Sequence, residues 1–296
     1  MNKKFLKICR KTQSELKSYV ADRLTNTHKN VIVGDGYVFA EGTFPVLLVA
    51  HLDTVHHETP KVIAEDDKGN YSSPEGIGGD DRCGVYMIFQ ILKKHNCSVV
   101  FCEDEEIGMV GARKFTNAPF FEELKYNYII EFDRANANDA VFYGCDNKDF
   151  EAFITEEFYE TAYGSFSDIS TIAPAIGCAA VNLSCGYYKA HTKNEYVNMA
   201  QMEASIEAAC KILDRTTEKD VFEYVEKKYS WPSYYSGYYD YNTTYSIKYL
   251  DGDKTKYYTV WKETEDDAIL DFLKNHPDIC YGQIQHVYSF DDDDLF

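Results

Sequence analysis

Residues 46–55 read VLLVAHLDTV, and their reading decides the fold. Val46 to Ala50 form a continuous apolar run, the pattern of a strand buried in a sheet covered on both faces. Such a strand has no use for an imidazole or a carboxylate. Yet His51 and Asp53 follow at once, two residues apart. The carboxyl ends of strands are where open α/β sheets hold ligands, so the pair points to something bound there.

The same alternation continues outward from that strand. RCGVYMIFQILKKH at 82–95 has helical spacing, while SVVFC at 98–102 and YNYIIEF at 126–132 read as strands. A helix around 168–174, a strand AAVNL at 179–183 and a long helix at 199–214 complete the body. Before it, VIV and YVFA flank a GDG turn, and Phe5, Cys9, Leu16, Val20 and Leu24 predict one amphipathic helix over 3–24. Strands alternating with helices predict an α/β fold, a three-layer sandwich with a mostly parallel central sheet.

The composition changes near residue 229, where YSWPSYYSGYYDYNTTY has no clear period. Residues 229–245 read as a Tyr-rich linker between a main domain, 1–228, and a small αβ appendage, 246–296. The appendage shows a hairpin turning at Asp251-Gly252, a helix capped by Thr264 with Asp267 three residues on, and a strand at 283–290. The final DDDDLF reads as a solvated acidic tail.

With 296 residues, 45% hydrophobic and 15% aromatic, the chain can bury a sizeable core. Its formal net charge of -19 repels phosphate backbones, so no nucleic-acid partner is expected. No stretch approaches the length of a membrane span, so no membrane partner is expected either. The basic start is not followed by an apolar segment of signal-peptide type, because Arg10 and Lys11 interrupt it. Nine cysteines, an odd number without C-x-x-C spacing, favour reduced thiols and a cytoplasmic location.

Four further motifs accompany the first: GIGGDDRCG at 76–84, CEDEEIG at 102–108, EFD at 131–133 and AHTKNEYV at 190–197. Three of them follow or end predicted strands and the other enters a helix, so all five converge on one cleft in the predicted fold. Their chemistry-bearing residues are two His and several carboxylates with no matching Cys, a donor set that suits Zn²⁺ and also Mn²⁺ or Co²⁺. One carboxylate shared between two ions would hold them about 3.5–4 Å apart, as in two-metal hydrolases. Each motif alone has a plainer reading. Asp80 and Asp81 read as helix N-caps, EDEEIG as a solvated acidic turn, Asp133 as a turn cap and His191 as a core histidine. Asp168, in GSFSDIS, reads either as a contact for a substrate amine or as a helix cap, and the other six histidines as surface or packing residues.

The ordered set H-x-D-T-V, G-x-D-D-R-x-G, D-E-E-I-G, E-F-D and A-H-T-x-N-E-Y resembles the co-catalytic di-zinc exopeptidases, the clan of peptidase T and the zinc aminopeptidases. The match covers roughly residues 30–215. It implies two divalent metals, with His51 and Asp133 on one, Glu106 and His191 on the other, and Asp80 bridging them through a cis Asp80–Asp81 peptide. It also implies Glu105 as general base and acid, and Asp53 as the partner that orients His51. The sequence departs from peptidase T in one respect: only 57 residues separate Asp133 from His191, too few for that family's inserted lid domain. The resemblance therefore implies a lid-less aminopeptidase acting on short peptides. The alternatives are an N-acyl amino-acid deacylase on the same site and a non-catalytic binding protein on a hydrolase scaffold.

Overall fold

The computed structural model describes residues 1–227, 243–252, 254–262, 264–279 and 281–290. They form two compact units, a larger one of Met1–Glu105 with Met109 onward to residue 227, and a smaller one over residues 243–290. The expected linker 229–245 lies outside the described residues up to 242, and residues 243–245 belong to a strand.

The larger unit is built on an eight-stranded sheet in the order Val31–Gly34, Tyr37–Ala40, Cys97–Cys102, Phe44–His51, Tyr128–Arg134, Ala180–Ser184, Asp139–Val141, Glu160–Thr161. Its four central strands, from Cys97–Cys102 to Ala180–Ser184, run parallel. Tyr37–Ala40 on one side and Asp139–Val141 on the other are antiparallel to their central neighbours. Val46 through Ala50 and Val99 through Cys102 are completely buried, as the unbroken apolar runs require. Parallel pairing brings the carboxyl ends of these strands to one edge of the sheet, so His51, the segment after Cys102, and Asp133 emerge side by side.

The helix over 3–24 is two helices, Lys3–Cys9 and Gln13–Leu24. The break is chemical. The Thr12 hydroxyl accepts the Glu15 amide while the Glu15 carboxylate accepts the Thr12 amide, a capping box that starts a helix at 13. The apolar stripe survives the break, with Phe5, Cys9, Leu16, Val20 and Leu24 all buried. Helix Gly79–Ile91 is buried almost throughout and packs on the central strands. Asp168–Ile176 and Met199–Arg215 form the other expected helices, and Val110–Thr116 and Lys148–Ile154 are additional. All 57 residues between Asp133 and His191 belong to the larger unit, where they supply three of the sheet's strands and two helices.

In the smaller unit, Thr243–Asp251 pairs antiparallel with both Lys254–Lys262 and Ile284–Phe290. Helix Glu265–Asn275 buries Ala268, Ile269 and Phe272, and Thr264 caps it by accepting the Asp267 amide. No helix among the described residues is long and apolar enough to cross a membrane.

Gly84 shows how tightly the site edge is packed. A Cβ there would strike the Phe132 carbonyl oxygen and both oxygens of Asp81. Gly84→Ala is therefore expected to lower the stability of the folded chain by about 1–3 kcal/mol, read as a lower urea midpoint. An unchanged midpoint would contradict this packing.

Candidate metal centre

Asp80 stands at the middle of the cluster. It sits in an irregular entry to helix Gly79–Ile91, with non-helical backbone at Asp80 and Asp81 and a cis peptide between them. One carboxylate oxygen, Oδ1, lies 3.0 Å from His51 Nε2, and the other, Oδ2, lies 3.2 Å from His191 Nε2. Asp133 Oδ1 is 3.4 Å from the same His51 nitrogen. The ligand-type atoms of His51, Asp80 and Asp133 lie within 4.8 Å of one another, as do those of Asp80, Glu106 and His191. Two candidate metal-binding groups thus share one carboxylate.

The two histidines differ in setting. His51 ends a buried strand and is 1% exposed, whereas the His191 side chain is 55% exposed on a turn where His191 has φ 61°. Non-glycine residues with positive φ also bracket the Glu105 turn, at Asp104 and Met109. Glu105 is nearly buried, and its amide donates to Asp53 Oδ1 at 3.0 Å. The same Asp53 oxygen lies 3.2 Å from His51 Nδ1. A proton on Nδ1 directed at Asp53 leaves the Nε2 lone pair facing Asp80 and Asp133, the orientation a metal-ligating imidazole requires.

The electrostatics suit a cation. Burial pulls the His51 imidazole down, but the carboxylates of Asp133 and Asp53 outweigh it and hold the ring well above its usual range. Burial alone would raise Asp80, yet His191 and His51 overcome it and keep that carboxyl well below its usual range. Asp133 is pushed up to about 7, first by burial and then by the neighbouring Asp80 carboxylate. Nitrogen and oxygen donors with a surplus of negative charge fit divalent ions of the Zn²⁺, Mn²⁺ or Co²⁺ type.

Several supporting residues had no assigned role in the sequence reading. The Ser167 hydroxyl donates to Asp133 Oδ2 at 3.2 Å and the Tyr187 hydroxyl to Oδ1 at 3.3 Å, while Asn182 accepts the Asp133 amide. Arg82 is buried and donates to the carbonyls of Leu52, Asp53 and Lys11, fixing the backbone just after His51. Asp81 accepts the amides of His51 at 3.2 Å and Gly84 at 2.7 Å, so its capping bond also ties the helix entry to the His51 strand. His56, read as a surface or packing residue, lies 3.0 Å from the buried Glu195 carboxylate. Asp168 is fully buried, and the N-cap of its helix is Ser167, one residue before it. Only the motif spacing could have flagged Arg82 and Glu195; Ser167 and Tyr187 carry no local signal.

No protein-family model matches this chain, and no curated protein sequence does. Its fold is that of solved peptidase structures. Aminopeptidase PepT from Bacillus cereus superposes with a TM-score of 0.59 at 14% identity, over 71% of this chain and 96% of that one. A Staphylococcus aureus tripeptidase gives 0.54 at 14%, over 71% and 95%. Glutaminyl cyclase from Bacteroides thetaiotaomicron gives 0.53 at 11%, over 73% and 95%. These likenesses describe architecture.

The shared carboxylate predicts an asymmetric response to substitution. In Co²⁺ titrations followed by calorimetry, Asp133→Asn should weaken one binding event and Glu106→Gln the other, while Asp80→Ala should weaken both. Two events unaffected by Asp80→Ala would mean that the groups are not joined through it.

Proposed function

We propose that this protein is a two-metal hydrolase of peptide bonds, an aminopeptidase acting on short peptides in the cytoplasm. The observation that carries the reading is Asp80, with a different imidazole against each of its oxygens. His51, Asp80 and Asp133 would hold one ion, and Asp80, Glu106 and His191 the other. Bound there, such ions acidify a water and polarise the carbonyl that it attacks.

The chain's own groups do the rest. Glu105 takes the proton of the attacking water and returns it to the leaving amine, from a backbone position fixed by the hydrogen bond its amide donates to Asp53. Asp53 keeps His51 in the ligating tautomer through the same oxygen. Ser167 and Tyr187 hold the Asp133 carboxylate from its two sides. Zn²⁺ is the favoured metal, with Mn²⁺ and Co²⁺ compatible with the same donors.

An aminopeptidase is preferred because residues 134–190 are spent on the main sheet and its helices, with no inserted domain to receive a substrate carboxylate. Two of the similar folds are named as an aminopeptidase and a tripeptidase. The eight cysteines among the described residues are free and buried, which suits a reducing compartment. A second reading stays in view, because one fold hosts several reactions. On that reading the same site removes the acyl group from N-acyl amino acids.

A hydrolysis panel of dipeptides, tripeptides and N-acyl amino acids, with Zn²⁺, Mn²⁺ and Co²⁺ supplied in turn, separates the two. Free peptides should be cleaved from the amino end, and a chelator should abolish turnover. Glu105→Gln should keep parental metal content while kcat falls roughly 10²–10⁴-fold. Peptidase activity unchanged in that variant removes Glu105 from the proton-transfer role.

A further inference from the structure

Glu195, the acid of AHTKNEYV, is completely buried in the larger unit, and its carboxylate meets three donors. Oε2 accepts the Gly78 amide at 2.8 Å and lies 3.0 Å from His56 Nε2, while Oε1 accepts the Asp80 amide at 3.0 Å. The turn that offers these amides is irregular, with Gly78 at φ 64° and Asp80 outside helical geometry. Buried amides in such a turn need an acceptor, and Glu195 supplies one for each.

The position of Glu195 in the chain gives these bonds a consequence. It follows His191 by four residues, at the end of the exposed turn whose left-handed backbone presents that ring. The Glu195 amide bonds the Thr192 carbonyl, and the Thr192 hydroxyl bonds the Lys189 carbonyl, so the turn is laced internally down to Glu195. His56 lies three residues beyond Asp53. One carboxylate therefore ties together the segments that carry Asp53, Asp80 and His191.

We propose that Glu195 is a positioning residue which locks the Asp80 turn against the His191 turn and so sets the geometry of the shared carboxylate. The consequence for ion binding rests on the two-metal reading above; the anchoring itself does not. A carboxylate is needed because a Gln at 195 would turn an NH₂ group toward one of its three donors.

The test compares Glu195→Gln with Leu213→Ala, a core truncation on helix Met199–Arg215 outside the site. Both are measured by amide exchange in the metal-free protein and by Co²⁺ titration. Glu195→Gln should speed exchange at Gly78 and Asp80 at least tenfold and lower Co²⁺ affinity roughly 10–100-fold, the range typical of residues that orient metal ligands. Leu213→Ala should lower thermal stability while leaving both readings at parental values. Should Glu195→Gln fail to fold, Glu195→Asp keeps the charge one methylene short of the amides and is expected to shift both readings the same way. Parental exchange at Gly78 and Asp80 overturns the proposal, and so does faster exchange with Co²⁺ affinity no lower than in Leu213→Ala. A parent chain that binds no Co²⁺ removes the two-metal reading instead, and exchange alone then decides whether Glu195 anchors the turn.

Discussion

The structure depends on one electrostatic constraint: carboxylates brought so close together under burial that they cannot all carry their charge without compensation. Asp80 and Asp133 meet at a single imidazole nitrogen, and Asp133 is driven to about 7 by burial and by that neighbour. Asp80 keeps its charge because imidazoles approach it from two directions. Such a cluster costs the folded state stability unless positive charge is supplied, so its persistence in a well-packed unit points to a role other than stability.

What the constraint demands of the backbone is precision, and the parallel sheet provides it. Three buried, parallel strands, Phe44–His51, Cys97–Cys102 and Tyr128–Arg134, deliver His51, the Glu105 turn and Asp133 to one edge. Buried hydrogen-bonding groups then fix the parts that the sheet does not reach. Arg82 holds the carbonyls beyond His51, Asp81 joins the helix entry to the His51 amide, and Ser167 with Tyr187 grips Asp133. Of the two imidazoles only His191 is largely exposed, which places that half of the cluster on a surface turn.

Much of this was legible along the chain, and the failures have definite causes. The apolar runs mark the central strands because burial on both faces leaves few polar positions in them, such as Ser98, Glu131, Asn182 and Ser184. The single helix expected over 3–24 is two, because apolar spacing alone is blind to Thr12 and Glu15, whose mutual capping begins a new helix at Gln13. Asp168, expected either at a substrate amine or as a helix cap, is wholly buried, and the cap falls on its neighbour Ser167. His56, expected as a surface or packing residue, bonds Glu195, a partner 139 residues away that no local pattern reveals.

The sequence by itself determined the alternation of strands and helices and the chemistry of the five motifs, because buried strands and ligand-type side chains leave local marks. Only the tertiary structure decided that Asp80 turns its two oxygens to different imidazoles, and that Glu195, Arg82, Ser167 and Tyr187 hold the cluster in place. Those are distances between segments far apart in the chain, and no local pattern of residues records them.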